Sequence, residues 1–297
     1  MAILVIGNTY SGGGRGHLLV GALAAELGAD YLLAERPGHA LELAAQAGGY
    51  ATVVAAGGDG TVHEVVNGLM ALPADSRPTL GLAPLGTGND IARNLGLLEP
   101  AEAAAAVRHG QVRGLDLFRV DCRDERGLPR RVWSVLNCGI GYGAEVVRRT
   151  TQRVKRLAGP AAAYFWGTLS ALATWDSPTV TLAGDFGVWR GRAFFITMCN
   201  GEWECGGSMR MAPGASLTDG QAHLLIVRRA PRPLLVPKLA LLGSGRHIEQ
   251  QQVTFVPANT ITVHAERPLG LQSDGDVIGY SPCRVTLVPA AIGVLAP

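Results

Sequence analysis

The segment Val53-Val54-Ala55-Ala56-Gly57-Gly58-Asp59-Gly60-Thr61 sets an apolar, partly β-branched run against a block of glycines, and apolar residues at helical spacing follow directly from Val62. A strand that stops on glycine and turns straight into a helix belongs to a crossover unit, in which parallel strands are joined by helices packed on the sheet. The same punctuation occurs twice more. Pro84-Leu85-Gly86-Thr87-Gly88-Asn89-Asp90 follows the apolar run Leu80–Ala83, and Asn8-Thr9-Tyr10-Ser11-Gly12-Gly13-Gly14 follows Ala2–Ile6. With Tyr31–Ala34 as a fourth strand, and helices expected over His17–Leu27, His39–Ala47, Val62–Leu72, Asn89–Leu95 and Ala101–His109, the first part of the chain reads as a doubly wound α/β domain over residues 1–119.

Beyond Gly114 the texture changes to short β-rich runs, charged turns and scattered glycines. Arg131–Leu136, Thr179–Leu182, Arg192–Cys199, Ala222–Val227, Gln252–Val256, Thr260–Ala265 and Cys283–Pro289 are spaced as in a sandwich. Residues 120–297 are therefore expected to form a β-sandwich-like domain, with the last residues packing back on the first. One helix, over Val154–Trp175, interrupts it.

The glycine loops point to a phosphate. Without side chains, Gly57, Gly58 and Gly60 let backbone N–H groups approach an anion closely, and the next helix directs its positive dipole end to the same place. An aspartate there would repel the anion unless a cation stood between them, so Asp59 implies Mg²⁺ held between carboxylate and phosphate oxygens. The plain alternative is a tight turn in which Asp59 and Thr61 cap a helix. Recurrence of the pattern at three strand ends favours a binding crevice.

Composition narrows the partners. A formal charge of +2 gives no bulk attraction to a polyanion, so nucleic acid is not expected. The five cysteines are scattered without a two-residue pair, which fits buried thiols in a reducing cytosol. Met1–Gly7 reads as a buried first strand rather than a leader, and the apolar stretches Pro160–Trp175 and Pro231–Gly243 are too interrupted for the ~20-residue span a bilayer requires. The expected location is cytoplasmic, with membrane contact limited to the periphery of the inner face; a homodimer stays open.

Taken together, the three loops resemble the diacylglycerol kinase catalytic family, which includes bacterial lipid kinases and the sphingosine kinases. The likeness continues in the turn Gly139–Gly143, the helix entry Arg156–Pro160, and the late segments Ala212–Gly220 and Ser273-Asp274-Gly275-Asp276. It implies an ATP- and Mg²⁺-dependent lipid kinase whose nucleotide lies against Asn8, Thr9, Tyr10, Ser11, Gly12, Gly57, Gly58, Asp59, Gly60, Thr61, Glu64, Gly86, Thr87 and Asn89. It implies Asp276 as general base on the acceptor hydroxyl, joined by Asp59 and Asp116 in a water and Mg²⁺ network, and a separate metal site at Ser216, Asp219 and Gln221. This chain has aspartate at 276 where the family usually has glutamate, which shortens the reach by roughly 1.5 Å. Other departures from the family pattern are Thr9 for proline, Gly13 for lysine, Ala34 for threonine, His63 for asparagine and Thr218 for aspartate; Arg15 is placed to supply the cation lost at Gly13.

The residues alone leave Asp276 readable as an ordinary turn aspartate and Asp116 as a strand-end carboxylate. Arg148, Arg149, Arg153, Lys155 and Arg156 precede the apolar run Ala161–Trp175, which suits either docking on anionic lipid headgroups or a solvated face beside a buried helix. A kinase for a soluble hydroxyl, resembling NAD kinase, and a catalytically weak nucleotide-binding regulator are the alternatives to the lipid kinase.

Overall fold

Four short, mostly apolar runs produce a parallel ladder in the computed structural model, which describes residues 2–150 and 160–297. The strands β1 (Ile3–Asn8), β2 (Asp30–Ala34), β3 (Thr52–Gly57) and β4 (Thr79–Pro84) lie in the order β4-β3-β1-β2, all neighbours parallel. Because side chains alternate across a sheet, β3 sends Val53 and Ala55 to one face and Val54 and Ala56 to the other. Helices cover both. On the first face lie α3 (His39–Ala44), α4 (Asp59–Met70) and α5 (Asp90–Asn94); on the second lie α2 (Gly16–Leu27) and α6 (Pro100–His109). Between β1 and α2, the short turn α1 (Ser11–Gly14) has Gly12 and Gly13 at positive φ.

The β-rich part closes on itself. Strand β16 (Asp276–Ala296) pairs with β14 (Thr260–Ala265), β14 with β8 (Thr179–Gly184), β8 with β9 (Gly187–Cys199), β9 with β7 (Asn137–Ile140), β7 with β15 (Gly270–Ser273), and β15 with β16 again. A core including Phe118, Met198, Leu224, Val263 and Val285 fills the interior. Two strands run much longer than their sequence suggests. Strand β5 (Gln111–Arg123) and β16 pair along nearly their whole lengths through register shifts at Tyr280/Arg284 and Val288/Ile292. These bulges break the period-two alternation, so only Cys283–Pro289 stands out as a strand in the sequence. Beyond the second bulge, Val294 pairs in parallel with Leu80 of β4, and one strand thereby joins both parts into a single sheet.

Of the helix expected over Val154–Trp175, α8 (Pro160–Thr174) is observed; Arg153, Lys155 and Arg156 lie outside the described residues. Among the described residues no helix is long and apolar enough to cross a membrane.

Candidate active site

The three glycine loops meet at the ends of β1, β3 and β4. Leu85 donates its N–H to Gly57 O at 3.1 Å and accepts from Gly12 N at 3.2 Å. Asn8 Nδ2 donates to Thr61 Oγ1 at 2.7 Å, which ties the first loop to the start of α4. The closest approach is between glycines: a Cβ on Gly86 would sit 2.3 Å from Gly58 Cα, so a side chain at either place would push the loops apart. Asn89, at φ 54°, pins this contact by accepting from Gly86 N and donating to Gly86 O, each at 2.9 Å. Thr9 N reaches Ala34 O at 3.2 Å, Tyr10 is exposed, and the Ser11 hydroxyl is buried without a partner. Thr87 lies exposed at the crest of its loop.

Asp59 is the first residue of α4, where the unpaired amides of a helix start favour a negative charge. Its Oδ1 accepts from Ile91 N at 2.9 Å, whereas Oδ2 lies 3.0 Å from where a Cβ on Gly88 would stand. Asp90 opens α5 in the same way, with Oδ1 accepting from Gly207 N at 3.0 Å. Burial raises the pKa of both carboxyls, and the charge of Asp90 adds to the rise at Asp59. The amides of Gly206 and Gly207 and the charge of Arg93 offset part of the rise at Asp90; a divalent cation would relieve the repulsion felt at Asp59.

Asp276 stands across this floor. It is exposed at the start of β16, and its Oδ2 lies 4.0 Å from the Cβ position of Gly60. Two residues earlier, Asp274 is buried at φ 49° and accepts hydrogen bonds from Val135 N (2.9 Å), Leu136 N (2.8 Å) and Asn137 N (3.3 Å). His63, one helical turn after Asp59, places Nδ1 at 2.9 Å from Asp274 Oδ2. Burial alone would lower the histidine and raise the aspartate. The hydrogen bond and attraction between them prevail, so His63 is raised and Asp274 lowered.

The remaining expected residues have other partners. Asp116 is buried with Oδ2 accepting from Gly220 N at 2.6 Å and Oδ1 from Ala290 N at 2.8 Å; it clamps the bulge of β16 to the loop before β12 (His223–Arg228). Glu64 accepts from Gly38 N at 2.8 Å and Ala40 N at 3.1 Å, capping the start of α3. Asp219 Oδ1 accepts from Gln221 N at 2.9 Å in an Asx turn, while Ser216 Oγ lies 3.4 Å from Thr218 Oγ1. Among the described residues no three His, Cys, Asp or Glu side chains are grouped to hold a metal, so a cation at Ser216, Asp219 and Gln221 would rely on one carboxylate and carbonyl oxygens.

Sequence reasoning passed over Asp90 and Glu204. The signal for Asp90 was present, since it follows its glycine loop as Asp59 follows its own. Glu204 gave none: it arrives on the hairpin of β10 (Trp203–Glu204) and β11 (Met209–Arg210), which Asn94 ties to α5 by accepting from Glu202 N at 2.7 Å and donating to Trp203 O at 2.8 Å. Its Oε1 is sequestered without a partner, and burial, with the charge of Asp90 next, pushes its carboxyl up to about 8.

The residues present fit a magnesium nucleotide: glycine loops whose closest approach a Cβ on Gly86 would block, an orphaned Ser11 hydroxyl, and the Asp59 and Asp90 carboxyls raised by burial. Family comparison agrees with this geometry. Residues 2–120 match the diacylglycerol kinase catalytic domain, and residues 137–296 match the YegS C-terminal NAD kinase beta sandwich-like domain. The chain belongs to the diacylglycerol kinase and YegS-like lipid kinase family. It is 32% identical over 251 residues to a diacylglycerol kinase of Bacillus subtilis (strain 168), covering 82% of this chain and 77% of that one. It is 33% identical over 270 residues to a probable lipid kinase YegS-like protein of Chromohalobacter salexigens, covering 88% and 81%. A crystal structure of a putative diacylglycerol kinase from Bacillus anthracis str. Sterne superposes with a TM-score of 0.80 at 24% identity, over 100% of this chain and 95% of that one, which establishes the shared fold. Membership makes the protein a kinase.

Proposed function

We propose that the protein transfers the γ-phosphoryl group of ATP to a lipid hydroxyl, with diacylglycerol as the acceptor class, in a Mg²⁺-dependent reaction. The observation that carries this reading is the approach of Asp276 Oδ2 to within 4.0 Å of the Cβ position of Gly60, the residue after Asp59, where three glycine loops converge. The loop amides and the start of α4 bind and orient the phosphates. Asp59, through Oδ2, and Asp90 beside it would hold Mg²⁺, which when bound neutralises charge on the phosphoryl oxygens. Asp276, at the exposed rim, takes the proton from the acceptor hydroxyl as it attacks in line.

Acceptor class rests on the family and on one surface. Trp166 and Leu169 of α8 are exposed, as are Leu234, Val236 and Leu239 of the segment whose Arg232 donates to Leu172 O at 2.8 Å. Arg149, hydrogen-bonded to Ser170 O and Thr174 Oγ1 and paired with Glu145 at 2.7 Å, and Arg232 lie beside them. Apolar side chains next to cations suit a cytoplasmic protein resting on an anionic inner leaflet.

Labelled ATP, Mg²⁺ and a total lipid extract, separated by thin-layer chromatography, should give a labelled lipid. Soluble nucleosides and sugars should stay unlabelled with and without detergent. A labelled soluble product with unlabelled lipids would overturn the acceptor class, and nucleotide binding without transfer to any acceptor would overturn the kinase reading. Asp276→Ala should lose about 100-fold or more in turnover and keep its nucleotide affinity by calorimetry.

A further inference from the structure

The link between the helix that carries Asp59 and the turn that carries Asp276 runs through a buried histidine–carboxylate contact. His63 and Asp59 are four residues apart and so share one face of α4. From that face, His63 Nδ1 meets Asp274 Oδ2 at 2.9 Å, with both side chains at least nine-tenths buried. Asp274 belongs to the reversal between β15 and β16, where Asp274 at φ 49° and Gly275 at φ 93° turn the chain and present Asp276 toward Gly60. Asp274 Oδ1 is fixed by the Leu136 and Asn137 amides and by Ser134 Oγ at 3.3 Å, and the Val135 amide shares Oδ2 with His63. His63 is held in turn: Asn67, paired with Trp133 N and O at 2.8 Å each, places its Nδ2 3.4 Å from His63 Nε2.

We propose that His63 is a positioning residue, acting through Asp274 to hold Asp276 in register with the phosphate-binding end of α4. A carboxylate that already accepts three backbone amides would orient itself without a side chain from α4. The contact from His63 adds alignment between two elements more than 200 residues apart in sequence. With aspartate at 276 in place of the longer glutamate, the base has less reach with which to absorb a displaced turn. The inference rests on Asp276 being the base of the proposed transfer.

The test compares His63→Asn, which keeps an N–H donor at the δ position, with His63→Leu, which removes it at similar volume. His63→Leu should lower kcat by about 10- to 100-fold with KM for ATP and nucleotide affinity within twofold, and His63→Asn should restore most of that loss. Hydrogen–deuterium exchange of residues 273–276 should rise in His63→Leu and return toward wild type in His63→Asn. Wild-type kcat in His63→Leu, loss of nucleotide affinity in step with kcat, or equal kinetics in the two variants would overturn the inference. Exchange separates it from the reading beneath: a wild-type protein that labels no acceptor defeats the kinase proposal, whereas unchanged exchange at 273–276 in His63→Leu defeats the linkage whatever the activity. If His63→Leu fails to fold, His63→Gln, which carries its donor one bond farther out, takes its place, and a kcat equal to that of His63→Asn would overturn the positional claim.

Discussion

Two groups of carboxylates lie near the start of α4, and they are solved in opposite ways. On the crevice floor, Asp59, Asp90 and Glu204 are all raised by burial first, and the charge of Asp90 adds to the rise at Asp59 and Glu204. At the Ser273–Asp276 turn, Asp274 is buried as deeply and yet lowered, because a histidine and several amides converge on it. The difference is how far partners offset burial: His63 and the amides prevail at the turn, whereas on the floor burial outweighs the amides at Asp59 and the amides and Arg93 at Asp90. A carboxylate held without its counter-charge marks where a ligand belongs, and one held with it marks structure.

Removing the floor's charge should have the largest effect. Asp59→Asn should lower phosphoryl transfer by about 1,000-fold or more, since it removes the group proposed to hold Mg²⁺ at the point where charge develops. Calorimetry should show nucleotide binding that strengthens with Mg²⁺ in the wild type and is indifferent to it in the variant. Metal binding needs the ionised carboxylate, so affinity should weaken as pH falls through the raised value of Asp59. Wild-type turnover in Asp59→Asn would erase the distinction between floor and turn.

Next in size is the turn. Asp274→Ala leaves His63 and three amides facing a void, and breaking a buried pair from one side costs about 3–5 kcal/mol in unfolding free energy. Sign follows from the shifts. Asp274 is lowered, so its contribution is present above the ordinary carboxylate value of 3.8 and fades as pH falls through its folded value. His63 is raised, so its contribution is present below the ordinary imidazole value of 6.5 and fades as pH rises through its folded value. Urea unfolding of wild type and His63→Asn should therefore differ most between those two pH values, and a flat difference would show that the pair is not charged.

How much of this was legible depended on how far apart the partners sit in sequence. The loops at Asn8, Gly57 and Pro84 were readable because strand, glycines and helix start occupy about ten consecutive residues each, and a local pattern needs no knowledge of the fold. Helix starts and strands in the first 109 residues fell close to their expected places for the same reason. The long pairing of β5 with β16 was not readable, since its bulges interrupt the alternation and its register is set across more than 150 residues. Site roles divided similarly. Asp59 follows from its neighbours, but nothing near Asp116 or Glu64 in sequence reveals the Gly220, Ala290, Gly38 and Ala40 amides that engage them. Nothing near His63 in sequence reveals its partner, Asp274, which comes 211 positions later.

Glu204 supplies a smaller, pH-resolved test of the floor. Its carboxyl sits at about 8 when folded and near 4.5 when not, so the folded state holds a proton that the unfolded state releases between those values. Stability must then fall as pH rises across that window. Glu204→Gln removes the titration and should gain on the wild type by about 2–4 kcal/mol between pH 5 and pH 8.5 in denaturant midpoints. Parallel pH profiles for the two proteins would place Glu204 outside the acidic cluster and leave the floor to Asp59 and Asp90 alone.

The smallest effect concerns Glu64, which sits on α4 beside His63 and belongs to neither carboxylate group. The family likeness puts it at the nucleotide, while its carboxylate is bound to Gly38 N and Ala40 N at the start of α3. A cap of this kind is worth about 1 kcal/mol, because its loss returns two helix-start amides to water rather than burying them unpaired. Glu64→Ala should lower the unfolding free energy by that amount, with turnover and ATP affinity within twofold. A tenfold loss of nucleotide affinity at unchanged stability would instead move Glu64 from the scaffold of α3 to the crevice, and would enlarge the ligand-facing group at the expense of the structural one.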